Sequence, residues 1–275
     1  MTSDSPASPS SFPALSGSGP SASITPIQAL TFDLWDTIVH DDSDEAKRAA
    51  AGLRSKRDER RRLVWQALEA SGPIPFEHVA LAYDTADAAF NKAWKELHVT
   101  WPIEQRLDLV LQGLGRSQPP GWASVIEAHQ RMELTVAPDL IPGCREALTQ
   151  LSARYPLAIV SDAIVSPGWA LRELLELHGV KHFFTAFAFS DEVGRSKPHH
   201  DMFAAAASQL QAPLAGLLHI GDRDHNDVRG PHALGMRAVL FTGARAADKA
   251  GTQADAICDS WNDLPNIIDR LAREA

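Results

Sequence analysis

Three short apolar runs in this chain each stop on a polar residue that a packed core would not choose. Ala29-Leu30-Thr31-Phe32 stops at Asp33, Pro156-Leu157-Ala158-Ile159-Val160 at Ser161-Asp162, and Leu217-Leu218-His219-Ile220 at Gly221-Asp222. Runs of this length, rich in Ile, Val, Leu and Phe and closed by turn residues, read as buried strands. Residues 183–189 and the run Ala238-Val239-Leu240-Phe241 read as two more. Helical spacing lies between them: Arg145, Leu148 and Leu151; Trp169, Leu171, Leu174 and Leu175 up to Gly179; residues 202–210; and residues 227–234, closed by Gly235. This alternation predicts an α/β fold, a doubly wound parallel sheet with right-handed crossovers. Parallel strands deliver their C-terminal ends to one edge, where such sheets bind ligands. Asp33, Ser161 and Asp222 should meet at that edge, joined by Lys197 and Asp227 from the loops beyond. Asp33 taken alone could simply cap a turn, but a buried carboxylate is costly unless it is paired or holds a metal.

The rest of the chain divides by composition. Residues 1–25 are dominated by Ser, Pro, Ala and Gly and cannot bury enough surface to offset their ordering entropy. They are expected to form a disordered tail without chemistry, and they lack the basic and apolar regions of a secretory signal. Residues 26–40 and 140–275 are assigned to the core domain, and residues 41–139 to an inserted helical subdomain. Within the insertion, apolar positions recur at Leu63, Val64 and Leu68, at Val79, Leu81, Ala82 and Phe90, and at Leu107, Leu109 and Leu111. A charged helical run is expected to open at Ser43 and close at Ser71-Gly72-Pro73. With breaks at Pro102, Pro119-Pro120 and Pro138, the pattern predicts roughly four helices.

A net charge of −9 argues against a general nucleic-acid binder. The two cysteines, Cys144 and Cys258, have no metal-ligand spacing and read as buried thiols of a reducing compartment. No apolar run is long enough to span a membrane, and a cytoplasmic location is expected. Basic residues crowd positions 47–62. They read as a solvated helix face, with a patch that attracts an anionic substrate as the alternative.

The residue types at the sheet edge suit phosphate chemistry. Asp222 and Asp227, at a strand end and a helix start, suit Mg²⁺, a hard ion that takes few carboxylates and keeps water and phosphate oxygens. Ser161 offers a hydroxyl to a phosphoryl oxygen, and Lys197 a compact positive charge to Asp33 and to phosphate.

The order and content of four motifs resemble those of the haloacid dehalogenase-like hydrolases. They are Phe32-Asp33-Leu34-Trp35-Asp36-Thr37, Val160-Ser161-Asp162, Gly194-Arg195-Ser196-Lys197-Pro198 and Gly221-Asp222 through Asp227. The resemblance covers about residues 28–245, and the insertion after the first motif resembles the α-helical cap of one subfamily. It implies that Asp33 attacks phosphorus to form an aspartyl-phosphate, a covalent route that splits one hard displacement into two. It implies Mg²⁺ held by Asp33, the Trp35 main-chain carbonyl, Asp222 and Asp227. Thr37, Ser161 and Asp162 would serve the phosphate side, with Lys197 neutralising charge on a small phosphorylated substrate.

One departure bears on mechanism. Phosphatases of the family carry a general acid–base Asp two residues after the nucleophile, where this chain has Trp35. Asp36 is one residue too late and points its side chain the other way. Such a proton donor is worth roughly 10²–10⁴ in rate. Three readings follow: a Mg²⁺-dependent phosphatase with a different or absent acid, which the Asp222/Asp227 pair and the basic cap helix favour; a dehalogenase-type hydrolase attacking carbon; or a catalytically impaired phosphate-binding module. Without the acid, activity should fall as the leaving group becomes more basic. His40 could substitute for the acid, but reads as an exposed loop residue, as His199, His200 and His225 read as surface or helix-start residues.

Overall fold

A computed structural model describes residues 25–274; the tail assigned to residues 1–25 lies, but for Thr25, outside the described residues. Six strands form one sheet: β1 Ala29–Phe32, β2 Leu157–Ser161, β3 Ala186–Phe189, β4 Leu217–Gly221, β5 Arg237–Phe241 and β6 Ala256–Cys258. Their order is β3-β2-β1-β4-β5-β6, and every pair is parallel. β1 is central, with Phe32 opposite Ile159 of β2 and Ile220 of β4. All residues of β1, β2 and β4 are buried, which explains why they read as continuous apolar runs rather than alternating ones.

The two faces of the sheet are nonetheless distinct. Leu30, Phe32, Ile159 and Ile220 face one side, packed by α7 (Cys144–Ser152), α8 (Gly168–Leu177) and α12 (Leu264–Arg273). Ala29, Ala158, Val160 and Ala186 face the other, where Met202, Phe203 and Ala206 of α10 (His200–Leu210) fill the space that the alanines leave. The short turn α9 (Ser190–Val193) lies at the exit of β3, and α11 (Gly230–Ala233) precedes β5.

Between β1 and α7 stands the helical insertion: α1 (Ser43–Ala50), α2 (Lys56–Glu69), α3 (Phe76–Leu97), α4 (Ile103–Gly113), α5 (Trp122–Gln130) and the single turn α6 (Met132–Thr135). It has its own core around Val64, Leu68, Val79, Tyr83, Leu107 and Val110. The helix count exceeds the expected four because the charged run is two helices and α6 adds a single turn. Gly52, at φ +69°, ends the first, and the Ser55 hydroxyl accepts the Asp58 N–H to cap the second. The buried stripes also differ from the expected ones. Leu81 and Leu109 point outward, while Tyr83 and Val110 point inward, since residues two apart on a helix do not share a face.

Past the core strands, the expected strand over 183–189 is shortened by a 3₁₀ turn at Lys181–Phe183. The helix expected over 227–234 begins as a π-helical turn, Asp224–Arg229. β6 was not foreseen; it has three residues, set between Asp255 and Asp259, too few to show a period.

Trp261 ties the sheet to the loop after β1. It is fully buried, stacks on Phe32 with ring centroids 5.6 Å apart, and donates Nε1–H to the Thr37 carbonyl at 2.7 Å. Trp261→Ala is expected to cost roughly 3–5 kcal/mol in urea unfolding; a loss below about 1 kcal/mol would contradict this packing role.

Candidate active site

The β1–β4 ladder runs one residue past the strand, because the Asp33 N–H donates to the Ile220 carbonyl at 2.9 Å. That bond fixes Asp33 at the C-terminal edge. Lys197 Nζ lies 2.7 Å from Asp33 Oδ1 and 2.7 Å from Asp227 Oδ1. The Lys197 N–H donates to Asp162 Oδ1 at 2.9 Å, so the second motif holds the backbone of the third while the third reaches the first and fourth. Asp227 enters on the π-helical turn, its Oδ2 accepting the Arg223 N–H at 3.0 Å. Its carboxylate packs directly on Gly221: a Cβ there would lie 2.3 Å from Asp227 Cγ, so only glycine lets strand and turn approach this closely. Below the edge, buried His219 places Nε2 3.1 Å from Asp227 Oδ1 and Nδ1 2.8 Å from the Thr31 hydroxyl.

Asp33, Asp222 and Asp227 each present an oxygen within 4.8 Å of the others, and all three are buried. Burial and the charges of Asp33 and Asp227 push the Asp222 carboxyl up to about 8. Burial works against ionisation of Asp227 as well, but Lys197 and His219 outweigh it and hold that carboxyl well below the usual range. Burial would lower Lys197, yet Asp227, Asp33 and Asp162 together raise it above the usual ammonium range. One ammonium therefore faces three clustered carboxylates, with Asp162 beside them. An all-oxygen donor set with excess negative charge fits a hard divalent cation.

The remaining sequence-named residues are placed unevenly. Thr37 Oγ1 is buried and has no hydrogen-bond partner among the described residues. The Ser161 hydroxyl has only a long 3.5 Å contact to the Asp162 carbonyl. Neither residue lines the cavity, and both hydroxyls have bonding capacity unspent. Asp162 accepts from Lys197 N–H through Oδ1 and from Trp94 Nε1 through Oδ2, at 3.1 Å for the latter; burial raises its carboxyl to about 6. His40 does not line the cavity: its N–H donates to the Asp139 carbonyl and its own carbonyl accepts from Ser43. His199 accepts the Asp201 N–H and starts α10.

The insertion sits over this edge as a cap, and between them lies a half-open cavity of about 290 Å³. Asp33, Trp35, Asp162 and Lys197 line it from the core, and Asp41, Lys56, Arg60, Trp94 and Glu133 from the cap side. Lys56 and Arg60 belong to the basic stretch weighed as a substrate patch; Asp41, Trp94 and Glu133 were not foreseen at the site, since cap-side residues reach it only when cap and core dock. Docking bonds include Arg106 to the Ile164 carbonyl, the Ser196 N–H to the His98 carbonyl at 3.0 Å, and the Ser166 hydroxyl to Glu133. The basic stretch of the cap is charge-paired: Lys56 with Asp42 and Asp44, Arg60 with Glu133, Arg57 and Arg61 with Asp84. It is a compensated helix face, not a free cationic patch.

The family model of haloacid dehalogenase-like hydrolases matches residues 27–235, a span that holds β1, the cap and all four motif loops. The chain belongs to the haloacid dehalogenase-like hydrolases. Within this family it is 26% identical over 255 residues to a glyceraldehyde 3-phosphate phosphatase of Methanopyrus kandleri, covering 90% of this chain and 98% of the relative. In structure it resembles a HAD phosphatase from Thermococcus onnurineus, with TM-score 0.61, 19% identity, and 88% and 98% of the two chains covered. It resembles almost as well a 2-haloacid dehalogenase from Pseudomonas syringae, with TM-score 0.58, 18% identity, and 89% and 99% covered. The fold alone thus serves attack on phosphorus and on carbon.

Removing the single ammonium should expose the repulsion it offsets. With metal chelated, Lys197→Met is expected to cost roughly 3–5 kcal/mol at pH 8. Lysine is charged in both states across pH 5–8, so the pH dependence comes from the carboxylates left behind. They take up protons as pH falls, and the deficit should shrink toward pH 5. An equal deficit at both ends, measured by denaturant unfolding, would contradict the arrangement.

Proposed function

We propose that this hydrolase is a Mg²⁺-dependent phosphatase of a small phosphorylated metabolite, acting through an aspartyl-phosphate on Asp33. The observation that carries the reading is the buried cluster of Asp33, Asp222 and Asp227 opposite Lys197. A hydrolase attacking carbon without metal would gain nothing from three carboxylates that repel one another. The cation would be held by Asp33, Asp222, Asp227 and the Trp35 main-chain carbonyl. When bound it would shield the negative charge of nucleophile and phosphate so that they can approach.

The chain's own residues do the rest. Lys197 offsets charge on the transferring group while keeping Asp33 oriented. Thr37 and Ser161 turn their unspent hydroxyls to phosphoryl oxygens. Asp162 fixes the Lys197 backbone, and through Trp94 it couples the cap to the site. Asp227 is itself held by His219 and by the π-helical turn, so positioning and electrostatics carry most of the rate.

The cap sets the leaving group. Asp41, Asp42 and Glu133 share the cavity wall with Lys56 and Arg60 and with the indoles of Trp35 and Trp94. That wall carries no surplus of positive charge for a second phosphate or carboxylate. It suits a short, neutral, hydroxyl-bearing group, as in the substrate for which the glyceraldehyde 3-phosphate phosphatases are named. No helix among the described residues is long and apolar enough to cross a membrane, and a cytoplasmic setting suits such a substrate.

Trp35 at the acid position favours a second reading, a carbon-attacking dehalogenase, which halide release from 2-haloacids would reveal. The phosphatase reading predicts turnover of p-nitrophenyl phosphate and of neutral sugar or triose phosphates, lost on Mg²⁺ chelation. It also predicts that Asp33→Asn, still folded, loses at least about 10³-fold. Metal-independent halide release with no phosphate release would overturn it.

A further inference from the structure

We propose that Asp41 is the general acid and base of this enzyme, in the place that Trp35 leaves empty; the inference rests on the phosphatase reading above. The loop after β1 is built to deliver it. The Trp35 indole spends its one donor on the Asp162 carbonyl at 3.3 Å. Asp36, with φ +51°, is absent from the cavity wall and instead accepts the Asp41 N–H through Oδ1 at 3.1 Å. The Asp36 N–H bonds the Val39 carbonyl at 2.7 Å and folds the loop back on itself, and the His40 N–H ties it to the Asp139 carbonyl, where the insertion ends, at 2.8 Å. The carboxylate one residue too late to be the acid thus anchors the backbone of Asp41 at the cavity that holds the nucleophile.

Every other carboxyl lining that cavity is committed. Asp33 is paired with Lys197, and Asp42 with Lys56 at 3.0 Å. Glu133 is held by Arg60 and Ser166, and Asp162 takes two N–H donors. Asp41 makes no ion pair, and its carboxyl oxygens take no hydrogen bond, among the described residues. The groups around it are Asp36 and Asp42 on its own loop, Lys56 and Arg60 from α2, Glu133 from α6, and Lys197 and Arg223 across the cavity. Asp41 is itself solvent-exposed. Partial desolvation by the surrounding protein, with Asp42, Asp36 and Glu133, raises its carboxyl to about 6 against the pull of Lys56. A carboxyl poised there can give and take a proton near neutrality.

In the first step an Asp33 oxygen bonds to phosphorus as the bond from phosphorus to the ester oxygen breaks. The protonated Asp41 carboxyl gives its proton to that oxygen, releasing an alcohol. In the second step the Asp41 carboxylate takes a proton from water as the water oxygen bonds to phosphorus. The bond from phosphorus to Asp33 breaks, releasing inorganic phosphate and restoring both side chains.

The test compares turnover of glyceraldehyde 3-phosphate, which leaves as an alkoxide, with that of p-nitrophenyl phosphate, which leaves as a weak base, at saturating Mg²⁺ from pH 5 to 8. Asp41→Asn should lower the alkyl-to-aryl ratio by roughly 100-fold or more, and Asp41→Glu should recover part of it. Wild-type turnover of the alkyl ester should decline as pH rises past about 6, a limb that Asp41→Asn lacks. An unchanged ratio in Asp41→Asn overturns the assignment while wild-type turnover leaves the phosphatase reading standing. A wild-type chain that hydrolyses only the aryl ester also overturns it, and one that hydrolyses neither overturns both.

Discussion

The Lys197 ammonium, 2.7 Å from a carboxylate oxygen of Asp33 and 2.7 Å from one of Asp227, is the contact on which the site depends. Three of the motif loops meet at this one nitrogen, and the fourth is tied to its backbone through Asp162. A buried pair of this kind is weak evidence for stability, because desolvation offsets much of the attraction. Here it serves placement. It holds Asp33 at the sheet edge and leaves a negative surplus shared by Asp33, Asp222 and Asp227, which a hard cation would offset.

The core supplies the rigid half of this arrangement. Central β1 is buried on both faces, and its hydrogen bonding extends to Asp33 itself. The insertion supplies the other part of the cavity wall. Its charged residues are largely paired with one another, so its contribution at the cavity lies in shape, the Trp94 indole and a few carboxyls rather than in net positive charge. Trp94 joins the halves, since its indole N–H bonds the same Asp162 that holds Lys197.

The core was legible because its signals are local. A buried parallel strand must be apolar along its whole length, so the polar residues that end β1, β2 and β4 stand out, and topology brings them to one edge. Asp33, Asp222, Asp227 and Lys197 were named on that basis and do converge. The signals that failed were those of face and length. Leu81 and Leu109 matched an apolar count but not a helical face, and β6 is too short to show a period. The break between α1 and α2 was readable in Gly52 and in the spacing of Ser55 and Asp58, but the density of charge masked it. Trp94, Glu133 and Ser166 carry no local mark, because docking of cap on core brings them to the cavity. Asp41 had a faint one: a carboxyl next to the histidine weighed as a substitute acid, on the loop where the cap begins.

The central claim is that the carboxylate cluster is built for a divalent cation and holds a proton on Asp222 until one arrives. Calorimetric titration of Mg²⁺ into the protein, repeated across pH 6–8 in buffers of different ionisation heat, measures this directly. Asp222, raised to about 8, should give up close to one proton per ion bound near pH 7, with affinity rising by up to about tenfold per pH unit and levelling above its own pKa. Binding without proton release and with affinity independent of pH, or no binding at all, would contradict the account.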